Sequence, residues 1–199
     1  MMQHAVNARE LYREPGFGVM QLENEGMTNL AVRLGLGRET FGQAIGQALV
    51  ESLQGRLERG LMHPNLASSK INEAGLADEY ADMLEIYDKT NILERDVLRQ
   101  MSDVVGVRYF AMPILVNFTE AFSTRLSVLG LRLGKTASAN ARFQLQLWDG
   151  QSGRIVWEGI SDLTLAQETF REDPIPFEDT ILATWQSLVE KIPTGNEDF

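Results

Sequence analysis

The chain has 199 residues, enough for one domain with a sizeable core, and 28 acidic against 18 basic side chains give it a formal net charge of -10. A surface of this sign repels a phosphate backbone, so no nucleic-acid partner is expected. Because there is no cysteine, disulfides, thiolate nucleophiles and cysteine-based zinc sites are excluded, and no apolar run approaches the ~20 residues of a membrane-spanning helix.

The first half of the chain is predicted to begin with an arm and a strand and to continue with three helices. Residues 1–15 are polar and mixed and are expected to form a loosely packed arm before a strand at 17–22. Apolar residues recur every three to four positions over about 39–60, which predicts an amphipathic helix. The same spacing predicts a second helix at 76–87 and a third at about 94–105.

The second half is predicted to consist of strands and one closing helix. Apolar segments at 109–118 and 125–133 are typical of strands, and 143–159 has the pattern of a β-hairpin. A periodic apolar stripe begins at Phe177 and predicts a last helix before a tail at 193–199.

This order of elements predicts the fold class. Helices interleaved with early strands, then consecutive antiparallel strands and a closing helix, indicate an α/β (α+β) fold. We expect a single domain over 1–199, with one mixed β-sheet, a C-terminal antiparallel hairpin and about four flanking helices.

The hairpin consists of two runs of alternating apolar and polar residues joined at 149–153 by an Asp/Gly/Ser turn. Alternation places one set of side chains on a common face, which we expect to be buried: Phe143, Leu145, Leu147, Ile155 and Trp157. Trp148 is predicted on the opposite, polar face beside Arg154. Either the guanidinium stacks on the indole and protects the hairpin, or the two side chains form an exposed partner-binding patch.

One acidic row is a candidate for chemistry. Asp78, Asp82 and Glu85 share a face of the second predicted helix, and such a row can bind a cation or act as an acid–base pair. Most acidic rows are solvated helix faces, and His4 and His63 stand far apart with no second ligand at helical or strand spacing. We therefore assign no catalytic, metal or cofactor-binding residue. A small metal-dependent hydrolase or ligand-binding enzyme that uses the acidic face is kept as the alternative function.

Several pieces of the sequence together resemble a protein family. They are the strand at 17–22, the Gly/Ala-bearing helix at 41–57, the Gly-Val-Arg-Tyr junction at 106–109, and the hairpin with Leu-Trp-Asp at 147–149 and Gly-Arg-Ile-Val-Trp-Glu-Gly at 153–159. In this order they resemble bacterial cell-envelope lipoproteins. The soluble domain of that group is similar to the curli secretion channel subunit, the amino-terminal domain of the Tol propeller protein, and lipoprotein activators of penicillin-binding proteins.

The resemblance implies a periplasmic α/β domain that is anchored to the outer membrane by a lipid in its full-length form. It implies no catalytic residues and no cofactor, and a role in binding envelope proteins or copies of itself as a homo-oligomer. The chain departs from the family in having neither an export signal nor a lipid-bearing cysteine. No long amphipathic β-hairpin of the kind that a pore-forming member inserts into the membrane is evident in the sequence, which argues against a channel.

Overall fold

The computed structural model describes residues 17–19, 38–54, 61–124, 127–128, 131–132, 135–169 and 174–193. The strands are β1 Phe17–Val19, β2 Leu61–Met62, β3 Tyr109–Thr124, β4 Ser127–Val128, β5 Leu131–Arg132, β6 Lys135–Asp149 and β7 Arg154–Thr169. The helices are α1 Arg38–Gln54, α2 Pro64–Glu73, α3 Ala77–Thr90, α4 Arg95–Val105 and α5 Phe177–Val189. None of these helices is both long and apolar enough to cross a membrane.

The main sheet is mixed, in the order β2-β1-β3-β6-β7. β1 pairs in parallel with β2 and β3, whereas β3, β6 and β7 form a long antiparallel meander. β4 and β5 form a small second sheet between β3 and β6 in the chain. The predicted α/β class, the mixed main sheet and the C-terminal hairpin are thus confirmed, whereas a second, two-stranded sheet of β4 and β5 replaces the strand predicted at 125–133.

The main sheet separates two hydrophobic cores. On one face, α1 and α5 cover β3 and β6 and form the first core, whose largest fully buried members are Ile45, Leu49, Leu53, Tyr109, Phe143 and Trp185. On the other face, α2, α3 and α4 form the second core with one end of the sheet, and its members include Ile71, Met83, Tyr87, Leu98, Phe110, Met112 and Trp148. Successive β-strand side chains point to opposite faces, so β3 and β6 supply both cores.

The hairpin contains a β-bulge that the sequence pattern does not show. Leu147 pairs with Trp157, and Trp148 pairs with Ile155, so one extra residue, Val156, lies on the β7 side. As predicted, Phe143, Leu145 and Leu147 are fully buried. Trp157 packs against the first core but is only partly buried.

The prediction for Ile155 is wrong. The bulge shifts the alternation of β7, so this residue lies on the same face as Trp148 and is 39% exposed.

The described residues contain five helices where about four were predicted. The additional one, α2, starts with Pro64 at its first position, and the His63 side chain accepts a hydrogen bond from the Asn65 N–H at the helix start. α3 and α4 lie close to their predicted positions. The arm at 1–15, the last residues of the first predicted helix at 55–60 and the end of the tail lie outside the described residues.

Candidate interaction surface

The candidate site is the part of the second sheet face that no described helix covers. α2, α3 and α4 pack over the end of the sheet near Phe110 and Trp148. Farther along, three rows of side chains lie across β3, β6 and β7 in register: Asn117, Arg142 and Asp162; Thr119, Asn140 and Thr164; Ala121, Ser138 and Ala166. Asn140 and Ser138 are half-buried and the other seven side chains are exposed. We call these nine residues the open face.

Hydrogen bonds fix the centre of the open face. The Asn140 amide donates to Asp162 Oδ1 at 2.7 Å, to Thr164 Oγ1 at 3.0 Å and to the Leu163 carbonyl at 3.3 Å. Ser138 Oγ donates to the Ala121 carbonyl at 3.3 Å. All of these side chains except Arg142 are short, so another backbone can approach most of this surface closely.

Two half-exposed aliphatic side chains lie beside the open face. Val116 is the extra residue of a second bulge, in β3, and is 49% exposed. Ile160 of β7 stands opposite Gln144 and is 45% exposed. The surface therefore combines polar rows with apolar contact area, as protein interfaces commonly do.

β7 is an edge of the sheet. It pairs with β6 along its length, and no strand among the described residues pairs with its other side. The Lys191 ammonium group lies 3.4 Å from the Ile160 carbonyl oxygen, which places that carbonyl on the side away from β6. Edge strands present backbone donors and acceptors on which another strand can pair.

Trp148, one of the two predicted partner-binding residues, is buried, so its predicted exposure is wrong. It is only 4% exposed, its indole N–H donates to Gln146 Oε1 at 3.1 Å, and its ring meets Tyr87 edge-on with 6.3 Å between centroids. The physical reason is that the second helical layer covers this end of the sheet, so even the polar Gln146 is buried. A partner cannot reach this indole in the described fold.

The predicted position of Arg154, the other residue, beside Trp148 is wrong, because Ile155 occupies that position and Arg154 stands opposite Asp149. It is exposed, and its role in partner binding stays a prediction.

A buried polar contact joins α3 to β6. The Tyr87 hydroxyl donates to Gln146 Oε1 at 2.8 Å, so this oxygen serves both the phenol and the indole of Trp148. Burial, and secondarily the negative charge of Glu158, raise the pKa of Tyr87 to about 12, against the opposing effect of the Gln146 hydrogen bond. The phenol therefore stays protonated at neutral pH and acts as a structural donor.

The hairpin turn is held against α4 by its polar side chains. The Gln151 side chain donates to Ser102 Oγ at 3.2 Å and to Asp103 Oδ1 at 3.0 Å. Asp149 accepts from the Gln151 N–H at 2.9 Å and from Arg108 at 3.3 Å. Burial of Asp149 raises its pKa, but these hydrogen bonds and the Arg108 charge together hold the pKa below its usual value. The residues that carry the family resemblance in this turn thus serve the fold.

The acidic row that was considered for the alternative function lies on the solvent-exposed side of α3. Asp78, Asp82 and Glu85 are exposed, and Glu85 pairs with Lys89, whose hydrogen bond and charge lower the pKa of that carboxyl. Within the described ranges, no three histidine or carboxylate side chains come together as a metal site. His63 Nε2 lies 2.9 Å from Gln47 Oε1, and His4 lies outside the described residues.

The chain matches no protein family and no curated protein. Among the solved structures that it matches is lipoprotein GNA1162 from Neisseria meningitidis, with 10% identity over 80% of this chain and 87% of that chain and a TM-score of 0.39. Another is the LpoB C-terminal domain from Salmonella enterica, with 13% identity over 79% of this chain and 92% of that chain and a TM-score of 0.39. A third is a PelC dodecamer from Paraburkholderia phytofirmans, with 10% identity over 96% of this chain and 91% of that chain and a TM-score of 0.38. Because the TM-scores are below 0.5, these similarities do not say what this chain binds.

Proposed function

We propose that this chain is a non-enzymatic domain of the bacterial cell envelope that acts by binding another protein through the open face of its sheet. The observation that carries the proposal is the set of three in-register rows that the described helices leave exposed. A sheet face packed on the chain's own helices is not available to a partner, whereas none of the helices that the structure describes covers this one. The envelope location is supported by the sequence of the hairpin and of the helix-to-strand junction at 106–109.

Charge favours a basic partner. The whole chain carries a formal charge of -10, and exposed α3, on the same side of the sheet as the open face, has five acidic side chains and one lysine. A negative potential of this extent speeds encounter with positively charged proteins and disfavours a second copy of the same chain. Glu85 gives no support to the hydrolase alternative, because it is paired with Lys89.

Arginine substitutions on two exposed surfaces test the proposal. Ala121→Arg places a long cationic side chain in the open face. Ser68→Arg places the same side chain at an exposed position of α2 and is the matched control. Both variants should keep the stability of the wild type within about 0.5 kcal/mol, as expected of exposed positions. Cross-linking in envelope fractions should give partner adducts for the wild type and Ser68→Arg, and these adducts should be lost in Ala121→Arg.

Two results would contradict the proposal. One is an identical set of adducts in all three proteins, which would place binding elsewhere. The other is a hydrolytic activity of the purified chain that chelators abolish, which would favour the metal-dependent alternative.

A further inference from the structure

We infer that the outer edge of β7, with which no described strand pairs, binds an extended, basic segment of the partner as an added β-strand. This inference rests on the function proposed above and names the chemistry of the partner. It places the segment beside the open face, with its backbone on β7 and alternate side chains over the polar rows.

The backbone of β7 offers a run of outward-facing groups. In an antiparallel pair, the N–H and C=O of one residue point to the same side, and alternate residues repeat that direction. The Ile160 carbonyl points away from β6, because Lys191 reaches it at 3.4 Å. By the same alternation Asp162, Thr164 and Ala166 direct their backbone groups outward, and all three are exposed. This stretch is long enough to pair with a strand of typical length.

The Lys191 contact also indicates which side chains suit this edge. An ammonium group from the end of α5 already lies against a β7 carbonyl, so the edge accepts a cationic donor from outside the sheet.

The side chains of β7 select against a second copy of the chain. The strand carries Glu158, Asp162 and Glu168 against one cation, Arg154. Pairing two copies of β7 would double this negative charge at the interface, and like charges across strands are destabilising. A basic strand instead meets opposite charges, which is the complementarity that favours one partner over another.

The test uses the purified chain and fluorescent peptides of about ten residues, long enough to span a typical strand. One peptide alternates lysine with valine, a second has glutamate for lysine, and a third is the lysine peptide with alternate backbone nitrogens methylated. Fluorescence anisotropy should show binding of the lysine peptide at low salt, with affinity lower by about tenfold or more for the other two. Methylation removes strand pairing without changing charge, so it separates an added strand from simple attraction.

Variants of the edge complete the test. Asp162→Lys should weaken binding of the lysine peptide, and Thr164→Pro should do so by removing an outward N–H while leaving the pairing with β6. Ser68→Arg is the control and should bind normally. If Thr164→Pro fails to fold, the methylated peptide and Asp162→Lys decide the matter.

Equal binding of the methylated peptide, or unchanged binding by Asp162→Lys, would overturn the inference, as would dimerisation that Thr164→Pro abolishes. Ala121→Arg lies on β3, away from the edge. Loss of partner adducts in that variant together with no peptide binding would therefore refute the edge inference alone.

Discussion

Gly159 lies where β7 passes under the indole of Trp157. A Cβ atom built on this glycine would stand 2.5 Å from Trp157 Cη2, 2.7 Å from its Cζ2 and 3.1 Å from Leu188 Cδ1. The first two atoms belong to the six-membered ring of the indole, which phenylalanine lacks in that place. The absence of a side chain at this position thus leaves room for the indole to lie along its own strand.

Gly159→Ala should destabilise the protein by about 1 to 3 kcal/mol, the usual cost of overpacking. The cost should shrink in a Trp157→Phe background, because the clashing atoms are gone. Gly75→Ala is the control: its Cβ meets nothing within 4 Å, and its φ of +74° makes it costly in both backgrounds alike. Urea unfolding of the four combinations measures these differences, and an equal cost of Gly159→Ala in both backgrounds would refute the packing explanation.

Tyr87 gives the protein a predictable sensitivity to alkali. Its pKa is about 12 in the folded state against 10.0 for an ordinary tyrosine. The stabilisation is fully present below pH 10 and is lost as pH rises from 10 to 12, because the unfolded chain releases this proton first. Tyr87→Phe should therefore lose less stability over that interval than the wild type. Urea unfolding at several pH values tests this, and parallel losses in the two proteins would contradict it.

At the scale of elements, the sequence predicts the features that depend on a regular spacing of apolar residues. Alternation correctly identifies the buried face of β6, and the apolar stripe correctly places α5. The bulge at Val156 could not be predicted, because one extra residue changes the phase of β7 without changing its composition. α2 was missed because it is short and buries only Pro64, Ala67 and Ile71. The burial of Trp148 depends on where the helical layer ends, which no local pattern shows.

The burial of Trp148 predicts a large loss of stability when this side chain is removed. Trp148→Ala should cost about 3 to 5 kcal/mol, as truncation of a large aromatic side chain in a core does. Arg154→Ala should change the stability by no more than about 0.5 kcal/mol, because Arg154 is exposed. Urea unfolding of both variants tests the assignment of faces. A small loss of stability in Trp148→Ala would contradict the burial of this side chain and indicate that it is exposed.

At the scale of the whole molecule, two cores share the same strands. β3 sends Tyr109 and Ala111 into the first core and Phe110 and Met112 into the second. β6 does the same with Leu147 and Trp148. If one core lost its packing, the strands that also line the other core would be disturbed. The described fold is therefore expected to unfold as one unit.

The tryptophans allow this cooperativity to be measured, because Trp185 reports on the first core and Trp148 on the second. Two variants would each keep one of these residues and have phenylalanine in place of the other two tryptophans. In each variant, the fluorescence transition in urea should coincide with the transition seen by far-ultraviolet circular dichroism. Separate transitions in either variant would indicate two units and contradict the prediction of a single domain.

The topology of the sheet also has a consequence for the order of folding. β6 and β7 are joined by a tight turn, whereas β1 must find Leu61 and Tyr109 far along the chain. The entropic cost of closing a loop is smaller for segments that are near in sequence. We therefore expect the hairpin to form in the folding nucleus and the parallel strands to join after the rate-limiting step. Leu145→Ala should then mainly slow refolding, while Ile45→Val in α1 should mainly speed unfolding. Stopped-flow measurements distinguish the two effects, and the opposite assignment would place nucleation in the N-terminal half.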